Sequence, residues 1–205
     1  MAPQARTAES QTEATKAEIL RHAHDLFAHY GFWKTNIGDI AKCCEMSPGN
    51  LYRYFRNKQA IGLAVVGQYF AQAETAMETP LLLPGGTTEE RIRAFVTTGI
   101  QHMKDEVEQD PKIVELAEFL MNDDDGMELL HTHIAWKRRL LAREIERGIA
   151  SGELRPCDPE QTAATLLNAL KVFWMPTTLS MWRDPQTIVP ELNAILDLMF
   201  GGLRD

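Results

Sequence analysis

The hydrophobic positions of this chain recur almost everywhere with the period of an α-helix. Between residues 13 and 30 the apolar side chains fall three or four positions apart, on one helix face, at Ile19, Ala23, Leu26, Phe27 and Tyr30. Gly31 follows directly, and glycine suits the left-handed conformation that closes many helices. The pattern predicts a first helix over 13–30, preceded by a polar, disordered arm over 1–12.

Two shorter helices are predicted directly after the first. Their apolar positions repeat at helical spacing, in one as Ile37, Ile40, Ala41 and Cys44, and in the other as Leu51, Tyr54 and Phe55. Thr35 or Asn36 is placed to cap the first short helix, Ser47 caps the second, and Pro48 takes its first helical position. Two short helices joined by a tight turn, the second rich in hydrogen-bonding side chains, are typical of a DNA-reading helix-turn-helix.

The spacing within residues 35–58 is more specific than that of a generic helical hairpin. The segment TNIGDIAKCCEMSPGNLYRYFRNK carries Ile-Ala in its first helix and then Ser-x-Gly-x-Leu-Tyr-x-Tyr-Phe-x-Asn-Lys. It resembles the DNA-binding head of the TetR family of bacterial transcriptional regulators. The chain departs from that family at Glu45, where glycine is usual, so we expect either an adjusted turn or a strained residue at positive φ.

The start of the second short helix is the part expected to reach base edges. Pro48 and Asn50 lie at its amino-terminal end, and Gly49 lets the backbone approach the DNA. Thr35, at the start of the preceding helix, is expected to offer a hydroxyl group to a phosphate. The full set of predicted DNA contacts is Thr35, Ser47, Pro48, Gly49, Asn50, Tyr52, Arg53, Tyr54 and Lys58.

For four of these positions the family resemblance adds a role. It implies that the residues at Thr35, Tyr52, Tyr54 and Lys58 contact phosphates or adjoining bases. A structural alternative stays open for two of them, because Tyr54 also fits the apolar stripe and Lys58 also fits the surface of a first helical turn.

Beyond residue 58 the helical period continues to the end of the chain. Helices are predicted over 59–78, 88–108, 111–121, 127–150, 159–181 and 185–202. Thr88 is placed to cap the second of these, and Pro176 to kink the fifth. The predicted fold class is all-α, with a three-helix head at 13–58 and a larger helical body over 59–205. By the resemblance, this body binds a ligand and dimerises.

The last two predicted helices are apolar over more than one face, which indicates a second buried surface. In the resembling family these helices pair with their copies in a four-helix bundle. We therefore expect a homodimer through about residues 159–202, which would read the two half-sites of a palindromic operator on double-stranded DNA.

Aromatic and methionine side chains are frequent in the predicted body, where they either line an apolar cavity or fill a core. The candidate ligand-pocket residues are Phe95, Met103, Phe119, Met121, Trp136, Phe173 and Trp174.

The charged residues of the helix over 127–150 are assigned to its solvent side, namely Lys137, Arg138, Arg139, Arg143, Glu144, Glu146 and Arg147. By the resemblance, a small-molecule effector binds in the body and releases DNA. Because few charges are expected inside, an apolar or aromatic effector is favoured.

Charge is distributed unevenly along the chain, whose net charge is −8. Residues 1–58 hold 8 lysines and arginines and 6 acidic residues, whereas residues 59–205 hold 13 and 23. A mildly basic head on an acidic body fits a protein that presents one end to phosphates.

Several other classes of protein lack support in the sequence. No GxGxxG, P-loop, HExxH or CxxC motif is present, so no enzymatic activity, cofactor or metal site is predicted. No apolar run approaches the roughly 18 residues of a membrane span, and residues 1–15 lack the apolar block of a signal peptide. Three cysteines do not make a disulfide framework. We expect a soluble cytoplasmic protein, and whether Cys43 or Cys44 has a redox role stays open.

The predicted function is a ligand-responsive, DNA-binding transcriptional regulator, with a repressor favoured over an activator. The alternative is a structural all-α dimerisation protein without specific DNA binding. That alternative explains the apolar last helices but gives no reason for the segment SPGNLYRYFRNK.

Overall fold

The computed structural model describes residues 8–82, 84–175 and 185–203, which are largely helical. In chain order the helices are α1 (Ala8–Tyr30), α2 (Ile37–Cys43), α3 (Pro48–Leu51), α4 (Lys58–Leu82), α5 (Thr88–Gln109), α6 (Ile113–Met121), α7 (Asp124–Ser151), α8 (Pro159–Ala169), a 3-10 helix (Lys171–Trp174) and α9 (Pro185–Gly201). No strand occurs in the described ranges, and the predicted all-α class is confirmed. None of the described helices combines the length and the apolar character that a membrane crossing requires.

Helix α1 begins earlier than its apolar stripe predicts. It starts at Ala8, so residues 8–12, expected in the disordered arm, form its first turns, while residues 1–7 lie outside the described residues. Ala8, Glu9 and Gln11 of this segment favour helix without any apolar periodicity. Periodicity therefore detects the buried part of this helix and misses its solvent-exposed start.

Helix α8 is shorter than predicted and is followed by the 3-10 helix. The α-helical pattern stops at Ala169, and Phe173 N–H donates to the Leu170 carbonyl at 2.9 Å. Met175 is extended, with φ −106° and ψ 119°, as expected for a residue directly before a proline. The kink predicted at Pro176 lies outside the described residues.

The cap of α5 is Thr87 rather than the predicted Thr88. Thr87 Oγ1 accepts a hydrogen bond from Glu90 N–H at 3.2 Å, and Glu90 Oε2 accepts one from Thr87 N–H at 2.7 Å. This reciprocal pair is a capping box. Thr88 is fully buried as the first residue of the helix.

The chain divides into two compact units. The first comprises Met1–Tyr69 and Asp110–Gly126, and the second comprises Phe70–Gln109 and Met127–Asp205. The first unit thus contains α1, α2, α3, the beginning of α4, and also α6. Helix α6 belongs to the segment that the sequence assigns to the body, so the first unit is larger than the predicted head.

In the first unit, Phe32 occupies the centre of an aromatic cluster. Its ring is fully buried, meets Phe27 edge-on with a centroid distance of 5.2 Å, and stacks on Phe119 of α6 at 4.5 Å. A Cβ atom at Gly62 of α4 would lie 2.8 Å from the Phe32 ring, so the absence of a side chain there allows α4 to pack closely. These contacts hold the turn after α1 in place, ahead of the helix-turn-helix.

The second unit has a continuous apolar core. It is built from buried side chains of α4, α5, α7, α8, the 3-10 helix and α9, including Met77, Ile92, Phe95, Val96, Leu141, Ile145, Leu166, Phe173, Leu192, Leu196 and Phe200. Helix α9 also carries Val189 and Leu198, which are 51% and 80% exposed. This second apolar surface on α9 is what the sequence predicts.

Candidate nucleic-acid interface and ligand site

Asn36 caps α2. Its Oδ1 accepts a hydrogen bond from Asp39 N–H at 3.0 Å, and Asp39 Oδ2 accepts one from Asn36 N–H at 3.1 Å. Together they form a capping box. Ile40 and Ala41 are fully buried, so the apolar stripe of α2 faces the interior as predicted.

The turn between α2 and α3 places Glu45 at a positive φ of 52°. Three backbone hydrogen bonds close the turn. They run from Cys44 N–H to Ile40 O at 3.1 Å, from Glu45 N–H to Lys42 O at 3.2 Å and from Met46 N–H to Ala41 O at 3.0 Å. Of the two alternatives expected at Glu45, the structure shows the positive φ. An L-residue pays a steric penalty in this region that glycine avoids.

Helix α3 presents its amino-terminal end on the surface. Ser47 Oγ accepts a hydrogen bond from Asn50 N–H at 3.2 Å and caps the helix. The fully buried Leu51 anchors the helix in the core. The exposed residues of the predicted contact set are Ser47, Pro48, Gly49, Tyr52 and Arg53, whereas Asn50 and Tyr54 are half-buried. The chain thus offers hydroxyl, amide, phenol and guanidinium groups around one short helix, which suits a groove of DNA.

Thr35 is buried, with 3% of its surface exposed. Its hydroxyl group donates to the Gly31 carbonyl at 2.9 Å, and its backbone N–H donates to the same carbonyl at 3.3 Å. The structure therefore shows Thr35 closing the turn after α1, and a contact between its hydroxyl group and a phosphate stays a prediction.

Lys58 binds the same turn from the first residue of α4. Its ammonium group donates to the Phe32 carbonyl at 2.8 Å and to the Thr35 carbonyl at 3.0 Å, and it lies 4.5 Å from the centroid of the Phe32 ring. Partial burial lowers the pKa of Lys58, and the negative charge of Glu115 opposes that shift. Because an ammonium group has three N–H donors, one remains for a phosphate.

We expect Lys58→Met to act on both stability and DNA binding. Loss of two charge-assisted hydrogen bonds should lower the free energy of unfolding by about 1.5–3 kcal/mol. If the third donor contacts a phosphate, the slope of log K against log salt should also fall by about 0.9. Urea unfolding and anisotropy titrations at several salt concentrations measure the two effects. Lys42→Met, at an exposed position of α2, is the control for stability. Unchanged stability would contradict a stabilising role for the two hydrogen bonds of Lys58. An unchanged slope would contradict its contact with a phosphate.

The predicted ligand-pocket residues separate into two groups. Phe95, Met103 and Phe173 are buried in the core of the second unit, and Trp136 and Trp174 pack against that core. Phe119 instead belongs to the first unit, where it stacks on Phe32, and Met121 of the same unit is 39% exposed. The aromatic ring of Phe119 thus helps to hold the turn after α1.

The assignment of all charged residues of α7 to solvent is wrong. Lys137 and Glu144 are only 6% and 4% exposed, and His133 of the same helix is 5% exposed. These positions share the helical spacing of the buried Leu140 and Leu141. The spacing favours the inner face for these positions, whereas residue type favours solvent, since charged residues are rarely buried.

Burial changes the acid–base properties of this part of α7. It lowers the pKa of His133 to about 3, with a further contribution from the positive charge of Lys137. It also lowers the pKa of Lys137 to about 7, against the negative charge of Glu74, which raises it. At neutral pH the imidazole is therefore uncharged, and Lys137 is poised between its two protonation states.

Cys43 is exposed, whereas Cys44 is partly buried on the inner side of α2. Burial, and then the negative charge of Glu18, raises the pKa of the Cys44 thiol group. A raised pKa disfavours the reactive thiolate. The structure thus lends no support to a redox role for Cys44.

The family of the chain follows from comparison with known proteins. Residues 19–65 match the model described as bacterial regulatory proteins of the tetR family, and residues 88–195 match the tetracyclin repressor-like C-terminal domain. The chain is 36% identical over 206 residues to the transcriptional regulator UidR of Escherichia coli K12, covering 95% of this chain and 84% of UidR. The chain belongs to the TetR family. As a TetR-family member it is a DNA-binding transcriptional regulator, and its helix-turn-helix is the element described above.

Two further relatives cover less of the chain or share less sequence. The transcriptional repressor NemR of Escherichia coli K12 is 30% identical over 82 residues, which are 40% of this chain and 41% of NemR. A putative TetR-family regulator from Mesorhizobium loti superposes with a TM-score of 0.73 at 18% identity, covering 95% of this chain and 99% of that one. The latter likeness shows the fold alone.

Proposed function

We propose that this TetR-family protein is a repressor that binds a palindromic operator as a homodimer and is released when a small molecule binds in the second unit. The observation that carries the DNA-binding part is the exposed amino-terminal end of α3, held by the Ser47 cap and anchored by the buried Leu51. Its partial relative NemR is a transcriptional repressor, which supports repression. The exposed Val189 and Leu198 of α9 support a dimer, because a partner copy would cover them.

Base and backbone contacts are proposed for different residues of the head. Pro48, Gly49 and Asn50 lie at the start of α3, where side chains of a recognition helix reach base edges. Tyr52 and Arg53 are exposed beyond it, Tyr52 to 52%. We assign them to phosphates or to bases flanking those that Asn50 reads. Ser47, Tyr54 and Lys58 complete the proposed set, the last through its third N–H donor.

Anisotropy titration of the full chain tests this function. The labelled duplex is the DNA upstream of its own coding sequence, and a scrambled duplex of equal composition is the control, each at two salt concentrations. Tighter binding to the upstream duplex at both salts is expected if the protein regulates its own transcription. Equal, salt-sensitive binding to both would point to an operator elsewhere, which selection from a random duplex library would then identify. A folded dimer that selects no duplex from such a library would contradict the proposal.

We expect Asn50→Ala to change which bases the protein prefers. An asparagine that bonds a base edge in two places discriminates against the wrong base by about 1–3 kcal/mol. Titration against operator duplexes substituted one base pair at a time measures the preference. Gln68→Ala, an exposed amide residue of α4, is the matched control. Equal weakening on every duplex would show that Asn50 does not read a base.

A further inference from the structure

The second unit encloses a lysine that pairs with no described carboxylate. Lys137 is 6% exposed, and no hydrogen bond or salt bridge joins its ammonium group to another residue of the described ranges. The group lies 3.9 Å from the centroid of the Trp174 ring, a cation–π distance. A buried ammonium group without a carboxylate partner is costly, so such a site is open to a ligand that supplies the negative charge.

The same part of the core offers a second unmatched polar group. Trp174 Nε1 is buried and has no hydrogen-bond partner in the described part of the chain. Gly99 packs closely against this ring, because a Cβ atom at Gly99 would overlap the Trp174 ring and the Met77 sulfur atom. Trp174 therefore carries a free indole N–H donor on the ring that Lys137 covers.

Stacked rings, among them that of His133, lie near Lys137. The rings of Phe70 and His133 are parallel within 3° at a centroid distance of 4.1 Å, and those of His133 and Trp136 within 7° at 6.0 Å. Phe95 lies 5.9 Å beyond Trp136. Stacked rings of this kind favour a flat, apolar partner.

Glu74 is engaged with the imidazole ring rather than with Lys137. His133 Nδ1 and Glu74 Oε1 are 2.8 Å apart. Because burial lowers the pKa of His133 to about 3, the contact is a hydrogen bond from a neutral imidazole and not an ion pair. Burial also raises the pKa of Glu74, while the positive charges of Lys137 and Arg139 lower it and the charge of Glu78 raises it. If Lys137 served only to balance Glu74, the two would be expected to form a salt bridge, and they do not.

We propose that Lys137, Trp174 and the stacked rings of Phe70, His133 and Trp136, here called the Lys137 cluster, bind an effector that carries a carboxylate group on a flat apolar body. The carboxylate pairs with the Lys137 ammonium group and accepts the Trp174 indole N–H, and the flat part lies against the stacked rings. This inference rests on the proposed function, and it adds a carboxylate group to the expected apolar or aromatic effector.

Matched acids and amides test the proposal. Benzoate, 2-naphthoate and indole-3-acetate are each compared with the corresponding primary amide by calorimetry and thermal shift on the full-length protein, at about pH 6, where Lys137 with its pKa of about 7 is protonated. At least one acid is expected to bind about tenfold or more tightly than its amide. In Lys137→Met this preference should disappear while the amide binds as before. Lys171→Met, an exposed lysine of the 3-10 helix, should retain it.

The opposite results would overturn the proposal. If no acid binds more tightly than its amide, or if Lys137→Met keeps the preference, the cluster does not select a carboxylate. Neither measurement involves DNA, so the outcome is independent of whether the protein represses transcription. Release of the labelled operator by the same acids is a separate readout, and its failure with acid binding intact would count against the proposed function alone.

Discussion

Replacing Arg91 with methionine is expected to lower the free energy of unfolding by about 3–5 kcal/mol. Arg91 Nε donates to Glu144 Oε2 at 2.9 Å, and the two side chains are only 11% and 6% exposed. The guanidinium group also donates to the Gly86 carbonyl at 2.7 Å and to Thr88 Oγ1 at 3.2 Å. Without it, the buried Glu144 keeps one ion-pair partner among the described residues, the half-exposed Arg147 at 3.1 Å. Denaturant unfolding followed by circular dichroism measures the loss.

Two further variants separate the buried pair from an ordinary surface contact. Arg138 of α7 pairs with Glu160 at 3.2 Å, and the two side chains are 51% and 61% exposed, so Arg138→Met should cost no more than about 1 kcal/mol. The double variant Arg91→Met with Glu144→Leu removes both buried charges and should recover most of the stability, because apolar replacement of a buried pair is often neutral. If Arg91→Met and Arg138→Met cost the same, the burial of Arg91 has no energetic consequence.

Much of the fold can be predicted from local patterns. Helices α2 and α3, the Ser47 cap and the positive φ of Glu45 all depend on residues within a few positions of one another. Such features can be predicted from the sequence, because periodicity and capping act over one or two helical turns. The same holds for α5, whose observed bounds differ from the predicted ones by a single residue at its end.

Contacts between distant segments could not be predicted in this way. Glu115 of α6 accepts the Trp33 N–H at 3.2 Å, and Lys112 donates to the His29 carbonyl at 2.7 Å. These bonds join residues more than 80 positions apart, and no periodicity reports on them. They explain why α6 belongs to the same unit as the helix-turn-helix. Phe119 of α6 therefore lies in the first unit, apart from the pocket candidates of the second unit.

The burial of Lys137 was missed for a different reason. The spacing of α7 places Lys137 on the same face as Leu141, yet a charged residue is ordinarily assigned to solvent. Lys137 is nonetheless buried, and the Trp174 ring, from another element of the second unit, lies against its ammonium group. Residue type and helical position conflicted at this residue, and such conflicts are frequent at functional sites.

Lys137→Met is expected to stabilise the protein by about 1–4 kcal/mol at about pH 6. The pKa of Lys137 is lowered by burial from its usual 10.5 to about 7, so the folded state binds fewer protons than the unfolded state between those two values. Stability from this group therefore rises with pH from about 7 to about 10.5 and is lowest below 7, where the buried ammonium group is fully charged. Methionine fills a similar volume without that charge, at the cost of the cation–π contact with Trp174.

The difference in the free energy of unfolding between wild type and Lys137→Met isolates the titration of Lys137 when it is measured against pH. The neighbouring Glu74, Glu78, His133 and Arg139 remain in both proteins. The advantage of the variant should be largest at about pH 6 and should shrink as pH rises above the Lys137 pKa of about 7. Thermal unfolding across this range measures it, and a constant difference would mean that Lys137 titrates like an exposed lysine. A carboxylate bound at the Lys137 cluster should instead stabilise the wild type and reduce the advantage of the variant, because it supplies the charge that the core lacks.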